Sequence, residues 1–386
     1  MRIKTISFKD YIQNWELQET SFDKLTLLVG ASGVGKSRIL QVINILKQIA
    51  LGRIYRGIEW NVEFITTTHD TYIWSGKTDN SGDISPFGVS NNLFFLLKED
   101  KKAKIEFEEI KFNDKIIISR NTNETIFNEV KMVKFSLNES IISILKEEEL
   151  IMPISENFKR IQLTDHSSTH PLKAASNISS IKSNQLKKIN NISIEDLRSL
   201  DLDVIVKLYI SSLYCKDIFQ TIKERYSEIF PLVLEIQFIS KQINFTKETD
   251  LNIEIQIKEK GVKNWIKKND ISSGMFRSLI HISEIYLCSE GSVFLIDEFE
   301  NSLGINCINE LTDEIISTDR DVQFIITSHH PYIINNIDFS HWKLVVRNGA
   351  SVKTNPVSNL INGESSHDKF MQLIQLSQYQ TGEDIV

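Results

Sequence analysis

The chain has 386 residues and a formal net charge of −7, with 41% hydrophobic and 25% charged residues. This length allows two domains, or one large domain with an insertion, and the composition is that of a globular protein with a sizeable core. No window approaches about 18 uninterrupted apolar residues, so we expect no membrane span. The acidic balance argues against a protein that coats nucleic acid over its whole surface. Three scattered cysteines without paired spacing argue against a disulfide framework and favour the cytoplasm.

The first third of the chain is predicted to be mostly strands with one helix. Residues 3–29 contain three strand patterns, and residues 36–51 have helical spacing. Further β-branched and aromatic runs predict an antiparallel β region, with strands at residues 59–66, 92–97, 104–112, 115–119 and 129–135. Asn113 and Asp114 lie between two of these runs and predict a hairpin turn.

The pattern changes near residue 138. Residues 141–150 have helical spacing, residues 153–192 are polar and predict a long loop, and residues 194–229 are helical again. We therefore predict three segments: residues 1–137, an insertion of helices and loops at residues 138–230, and residues 231–386. The last segment is expected to contain strands at residues 234–239, 251–257, 322–327 and 343–346, with a helix at residues 276–287.

Residues 30–37 read GASGVGKS and lie between a predicted strand and a predicted helix, as a Walker A phosphate loop does. Glycines let the backbone approach a polyphosphate closely, and the following helix presents its N-terminus to the negative charge. Lys36 can reach the β- and γ-phosphates, and the Ser37 hydroxyl can bind Mg²⁺. The sequence thus predicts a nucleoside triphosphate site. Its candidate residues are Gly30, Ala31, Ser32, Gly33, Val34, Gly35, Lys36, Ser37 and Arg38.

Two carboxylates follow the buried strand pattern at residues 293–296. Asp297 fits the Walker B position, where a carboxylate helps to hold Mg²⁺ beside Ser37. Glu298 follows it and is positioned to orient or deprotonate an attacking water. His329 follows the next buried strand and could hydrogen-bond a γ-phosphate, although alone it reads as an ordinary histidine.

Ser272, Ser273 and Gly274 open the helix that precedes the Walker B strand. A serine hydroxyl at a helix N-terminus is an anion-binding arrangement, but such sequences also serve simply as helix caps. Their position in the order of motifs makes them candidate nucleotide-binding residues.

Taken together, the ordered motifs resemble the ABC-type ATPase heads of the SMC/RecF-like and OLD-like branch, within the AAA-family ATPases. The resemblance covers about residues 1–60 and 234–335, and residues 300–303 correspond to the D-loop. It implies an α/β P-loop NTPase fold with an antiparallel β subdomain and a mostly helical insertion.

The same resemblance implies ATP and Mg²⁺ as ligands and a homodimer, or a larger even oligomer, that sandwiches ATP. Ser272 and Gly274 would act on the partner's nucleotide, Glu298 would activate water, and His329 would sense the γ-phosphate. Small proteins of this kind often act in anti-phage defence as switches for a separately encoded nuclease or toxin. Only 57 residues follow His329 (386 − 329), too few for the Toprim nuclease domain of OLD-type enzymes.

The sequence departs from the branch in three ways. Ala31 and Ser32 stand where an asparagine is usual, Ser273 replaces the first signature glycine, and no Q-loop glutamine can be placed. A DNA-repair or chromosome ATPase that clamps DNA directly is the main alternative. A transporter subunit is disfavoured by the degenerate signature and the extensive β region, and a scaffold without turnover is disfavoured by Glu298.

Other chemistry receives weaker support. His166 and His170 are four residues apart, but they lie in a polar stretch more typical of a solvated loop than of a zinc site. Asp297, Glu298 and Glu300 could be imagined as nuclease metal ligands, but the phosphate loop already accounts for the first two. Five lysines at residues 258–268 are typical of a solvated hairpin, with contact to a nucleic-acid backbone as the alternative.

Overall fold

The computed structural model describes residues 1–80, 86–87, 103–164, 180–182, 186, 189, 191–243, 250–301, 303–361 and 365–384. The strands of these residues are, in chain order, β1 (Arg2–Asp10), β2 (Trp15–Ser21), β3 (Leu25–Val29), β4 (Ile58–Ile65), β5 (Thr71–Thr78), β6 (Ile105–Phe112), β7 (Lys115–Asn121), β8 (Thr125–Phe127), β9 (Val130–Lys131), β10 (Ile161–Thr164), β11 (Ser180–Lys182), β12 (Val233–Ile243), β13 (Asp250–Glu259), β14 (Ile266–Lys267), β15 (Val293–Ile296), β16 (Gln323–Thr327), β17 (Trp342–Asn348) and β18 (Ser351–Pro356).

The α-helices of the same residues are α1 (Lys36–Ala50), α2 (Ile141–Ile144), α3 (Met152–Lys159), α4 (Ile194–Ser199), α5 (Val204–Tyr214), α6 (Lys216–Ile229), α7 (Ser273–Leu287), α8 (Ile305–Ser317), α9 (Pro331–Asn336), α10 (Ser366–Gln375) and α11 (Ser377–Thr381). No described helix has the length and apolarity needed to cross a membrane.

The chain forms two compact units. The first comprises Met1–Thr164, Glu290–Phe299 and Asp319–Val386, and the second comprises Asp165–Ser289 and Glu300–Thr318. The chain therefore passes from the first unit to the second between Phe299 and Glu300, directly after the paired carboxylates. These divisions differ from the boundaries predicted after residues 137 and 230, and that three-segment description stays a prediction.

The first unit is built on one sheet with the strand order β10-β15-β16-β3-β17-β18-β2-β1-β4-β5-β6-β7-β8-β9. The first five strands of this order, from β10 to β17, are parallel to one another, and β17 pairs antiparallel with β18. Every residue of β3, β15 and β16 is buried, as expected for strands covered on both faces. Their carboxyl ends are aligned because Ile296 pairs with Ile326, and Thr327 pairs with Leu28. This aligned edge is where the site lies.

The other end of the sheet is an antiparallel meander from β4 to β9. Asn113 and Asp114 form its β6–β7 turn with φ angles of 45° and 66°, which confirms the predicted hairpin. The buried pair Arg120–Glu108, at 2.8 Å, lies inside this region. The indole of Trp74 and the hydroxyl of Ser140 also donate to Glu108, so the buried carboxylate is well satisfied.

The second unit combines a small sheet with helices. Strand β13 lies between β11 and β12 and also pairs with β14. Helices α4, α5, α6 and α8 pack against α7, the helix that follows the two serines at residues 272 and 273. Ser272 caps α7, because its Oγ accepts a hydrogen bond from the Met275 amide at 3.3 Å.

The predicted α/β fold class is confirmed, with corrections to individual elements. The polar stretch at residues 153–192 is not a loop throughout: it contains most of α3 and also β10, an edge strand of the parallel core. The predicted strand at residues 129–135 is reduced to β9, since only Val130 and Lys131 pair with β8. Helix α2 ends at Ile144 and is shorter than predicted, and β5 was not predicted. The strand predicted at residues 92–97 lies outside the described residues.

Candidate functional site

Residues 30–37 form a tight loop between β3 and α1. Gly30, Gly33 and Gly35 have φ angles of 141°, 80° and 112°, a region that side chains disfavour. A Cβ at Gly30 would also lie 2.7 Å from the carbonyl oxygen of Val345, so there is no room for one. Glycine is needed here for conformation and for space, and the loop leads directly into the N-terminus of α1, whose first amides have no partner within the helix.

Lys36 is folded back over the loop. Its Nζ donates to the carbonyl oxygens of Gly30 at 2.9 Å and Ala31 at 2.8 Å, and the residue is 5% exposed. These contacts hold a positive charge within the loop, which is the charge that the phosphates of a nucleotide require.

Asp297 connects the phosphate loop to the neighbouring strand ends. Its Oδ1 accepts hydrogen bonds from Ser37 Oγ at 3.0 Å and from Thr327 Oγ1 at 2.6 Å. A hydroxyl and a carboxylate in contact are oxygen ligands of the type that Mg²⁺ uses when a nucleotide supplies the remaining ligands. Among the described residues, no cluster of three or more His, Cys, Asp or Glu side chains could hold a metal alone. Ser37 and Asp297 therefore fit a nucleotide-bound Mg²⁺.

Glu298 stands at a bend in the backbone directly after Asp297. Its φ angle is 46°, in the left-handed region that non-glycine residues rarely adopt. Its amide donates to Thr327 Oγ1 at 2.8 Å, which stabilises the bend, and its side chain is exposed. Strained conformations of this type occur at functional sites. A carboxylate is a side chain that can accept a proton from water, so the predicted role of Glu298 stays a prediction that this position is consistent with.

His329 is exposed and lies two residues after Thr327. The adjacent Ser328 is buried, and its Oγ accepts a hydrogen bond from the His330 amide at 3.0 Å. His330 in turn caps α9, since its Nδ1 accepts from the Tyr332 amide. His330 therefore has a structural role as a helix cap. His329 does not cap α9, and it stays the histidine predicted to contact the γ-phosphate.

Arg38 occupies an aromatic site beside the phosphate loop. Its guanidinium lies 4.6 Å from the centre of the Trp15 ring and 4.1 Å from that of Phe87, which is cation–π geometry. Burial lowers the pKa of Arg38 from its usual value, while nearby Asp10 acts in the opposite direction. The arginine is thereby held by ring faces on one side of the loop.

A cavity of about 410 Å³ adjoins the same place, and its volume is within the range of ligand pockets. Trp15 lines this cavity, and its ring also makes the cation–π contact with Arg38. Ser351 belongs to it too, and the next residue, Val352, is the one that a Cβ on Gly35 would approach to 3.2 Å. The cavity lies in the first unit and is lined by Lys9, Asp10, Tyr11, Asn14, Trp15, Glu16, Asn348, Ala350 and Ser351.

Ser272, Ser273 and Gly274 belong to the second unit. Ser272 and Ser273 are exposed at the start of α7, and the carbonyl oxygen of Gly274 accepts from Ser278 Oγ at 2.9 Å. Their predicted role on a partner's nucleotide remains a prediction. Of residues 300–303, Ser302 lies outside the described residues, as do His166 and His170, the weaker zinc candidates.

Two residues of the site were missed by sequence reasoning. Thr327 contacts the carboxylate of Asp297 and the backbone amide of Glu298, yet a threonine at a strand end has no distinctive pattern. The only hint in the sequence was that Thr327 ends the buried strand that precedes His329. Trp15 was predicted only to lie in a strand, and nothing in the local sequence indicates that its ring contacts the Arg38 guanidinium.

A protein-family model described as "AAA domain, putative AbiEii toxin, Type IV TA system" matches residues 25–335. No curated protein matches the chain. Among solved structures, one titled "Crystal structure of the SmcHead bound to the C-winged helix domain of ScpA" is 14% identical, with a TM-score of 0.46. The match covers 92% of this chain and 97% of the chain in that structure. The SMC head domain from Thermotoga maritima is 13% identical, with a TM-score of 0.41, and covers 92% of this chain and 99% of its own.

The matched residues extend from the strand before the phosphate loop to helix α9 and include Lys36, Asp297 and His329. This is most of the 386-residue chain, and the AAA-type ATPase predicted from the motifs is confirmed. The protein belongs to the family of AAA domains described by that model.

Proposed function

We propose that the protein binds and hydrolyses ATP at the edge formed by β3, β15 and β16. The observation that carries this proposal is the hydrogen-bonded cluster of Ser37, Asp297 and Thr327, which joins the phosphate loop to the ends of both neighbouring strands. Ser37 and Asp297 would hold Mg²⁺, which supplies charge stabilisation at the phosphates. Lys36 and the amides at the start of α1 would bind the phosphates themselves.

Glu298 accepts a proton from the attacking water in this proposal. Its carboxylate is exposed, and its backbone is held in place through the bond from its amide to Thr327. His329 would lie against the γ-phosphate. The cavity containing Trp15 would take the base and ribose, because it shares that ring with Arg38, the residue that follows the phosphate loop.

The second copy of the chain completes the site. Ser272, Ser273 and Gly274 of one copy would contact the nucleotide held by the other, which agrees with two exposed serines at the start of α7. A symmetric pair contains two such sites. ATP thereby stabilises the pair, and hydrolysis releases it.

The pairing cycle would act as a switch in the cytoplasm for a separately encoded nuclease or toxin, in defence against phage. The description of the matched family, which names an AbiEii toxin and a Type IV TA system, supports a role within a multi-component system. Nucleic acid is the alternative binding partner, and exposed Lys260, Lys263 and Lys267 are its candidate contacts. Stimulation of ATP hydrolysis by DNA would favour that alternative.

The test is steady-state ATP hydrolysis by the full chain with Mg²⁺. We expect turnover in the wild type, loss of nucleotide binding in Lys36→Ala, and loss of turnover with retained binding in Glu298→Gln. Glu156→Gln is the matched control, because among the described residues the side chain of Glu156 pairs with Lys159 alone, at an exposed position on α3. Normal turnover in Glu298→Gln would contradict the assigned role of this carboxylate.

A further inference from the structure

A line of polar contacts runs along one side of α7. Arg277, His281 and Glu284 are spaced four and three residues apart and therefore share a helix face. Nε of Arg277 donates to Nε2 of His281 at 3.3 Å, and Nδ1 of His281 lies 3.4 Å from Oε2 of Glu284. Arg277 and His281 are 6% and 3% exposed, so these contacts are shielded from water.

The contacts determine how each group orients the next. Because Nε2 of His281 accepts from an arginine, we assign its proton to Nδ1, which faces the Glu284 carboxylate. Glu284 therefore orients the imidazole, and the imidazole orients the guanidinium of Arg277. The guanidinium is therefore held in one orientation by side chains of its own helix.

At its other end the guanidinium holds the backbone of a different segment. Nη1 of Arg277 donates to the carbonyl oxygen of Asn301. Asn301 lies three residues after Glu298 and shortly before α8, and α8 packs against α7 within the second unit. Arg277 itself lies three residues after Gly274. One side chain therefore joins the loop that opens α7 to the segment that follows the paired carboxylates.

Burying the Arg277 guanidinium has a desolvation cost that an apolar side chain at the same position would avoid. Removing a guanidinium from water is energetically costly, and an apolar side chain of similar size often stabilises the fold as well or better. A buried arginine that is oriented by two further side chains and donates to one carbonyl oxygen holds two backbone segments at a fixed distance. The arrangement points to a task in positioning.

We propose that Arg277 is a positioning residue that makes the Ser272–Gly274 loop and the Asn301 segment move as one body against the nucleotide of a second copy. The inference rests on the proposed function, since it requires the shared nucleotide site. Arg277 touches no substrate in this account and acts through the two segments that it joins.

The first experiment compares Arg277→Lys and Arg277→Met with the wild type in ATP binding and in turnover. Lysine lacks the planar fork that serves His281 and Asn301 together. We expect kcat to fall by about tenfold or more in both variants, because small displacements of positioning groups have effects of this size. The Kd for a fluorescent ATP analogue should stay within about threefold of wild type, since a loss confined to kcat leaves ground-state binding intact. Arg2→Lys is the matched control, because Arg2 lies on β1 in the first unit and its ion pair with Asp321 is exposed to solvent.

The second experiment mixes Arg277→Met with Lys36→Ala in equal amounts. In a mixed pair, the intact phosphate loop of the first variant meets the intact Ser272–Gly274 loop of the second. Lys36→Ala alone should be inactive, and Arg277→Met alone should keep about a tenth of wild-type turnover or less. The mixture should recover about a quarter of wild-type turnover, because half of random pairs contain one competent site of two. No recovery would mean that Arg277 acts on the Glu298 of its own chain, which would overturn the proposal.

Two other results would also overturn it. Wild-type turnover in Arg277→Lys and Arg277→Met would show that the contact with Asn301 has no positioning effect. Loss of ATP-analogue binding together with turnover in both variants would assign Arg277 to folding alone. A failure of the proposed function itself is recognised separately, because the wild type would then neither hydrolyse ATP nor pair in its presence.

Discussion

Replacing Thr327 with valine removes one hydroxyl from the site and keeps the branched shape of the side chain. In the folded protein this hydroxyl donates to Asp297 at 2.6 Å and accepts from the Glu298 amide at 2.8 Å. Thr327 is 1% exposed, so water cannot readily replace either bond. The substitution therefore releases both carboxylate residues at once.

The size of the effect follows from the two bonds. A hydrogen bond to a charged group contributes about 1.5–3 kcal/mol and one between neutral groups about 1 kcal/mol. If about half of this sum is expressed in the transition state, kcat falls by about tenfold to thirtyfold, since 1.36 kcal/mol corresponds to tenfold. The KM for ATP should change less, because Lys36 and the phosphate loop are untouched.

The assay is steady-state ATP hydrolysis, with a thermal melt of each variant. Thr327→Ser keeps the hydroxyl and should retain most of the turnover. Thr312→Val is the matched control, because its buried hydroxyl donates to the Ile308 carbonyl oxygen within α8 and, in the part of the chain that the structure describes, to no site residue. Equal turnover in Thr327→Val and the wild type would refute the argument that this hydroxyl positions Asp297 and Glu298.

Two further substitutions test the surroundings of the site. Gly382→Ala should weaken ATP-analogue binding, because Gly382 has a φ of 75° and a Cβ there would collide with Val34 of the phosphate loop. Glu108→Ala should lower the free energy of unfolding of the first unit by about 3–5 kcal/mol, measured by urea denaturation, because it leaves the buried Arg120 guanidinium without its carboxylate.

Both substitutions have matched controls. Gly261 has a φ of 79°, and apart from its chain neighbours no described atom lies within 4 Å of its would-be Cβ, so Gly261→Ala introduces similar strain without a collision. If it weakened nucleotide binding as much as Gly382→Ala, contact with Val34 would not be the cause. Glu129 forms an exposed pair with Lys115, and Glu129→Ala should change the unfolding free energy by less than about 1 kcal/mol. Equal losses from Glu108→Ala and Glu129→Ala would contradict the importance of burial.

The elements with strong local patterns were predictable from the sequence. Strands β3, β15 and β16 are continuous apolar runs, and the glycines of residues 30–37 place the turn between β3 and α1. The Asn113–Asp114 turn was predictable because both residues tolerate positive φ angles. In each case a short stretch of sequence contains the physical reason for its own conformation.

Elements whose reason lies elsewhere in the chain were not predictable. Strand β10 has only four residues, and it is a strand because it pairs with β15, more than a hundred residues away. The contact of Thr327 with Asp297 exists only because Ile326 pairs with Ile296, which brings the next residue of each segment close to the other. The contact between Arg277 and Asn301 likewise joins separate segments, and the Arg277 position alone reads as an ordinary helix residue.

The central claim is that ATP is held between two copies of the chain, and the most direct measurement is molar mass by light scattering of Glu298→Gln with and without ATP and Mg²⁺. We expect a rise from the 44.5 kDa of one chain to twice that mass, or to a larger even multiple, when ATP is added. Lys36→Ala should stay at the mass of one chain under the same conditions. An unchanged mass for Glu298→Gln that nonetheless binds the ATP analogue would contradict the claim.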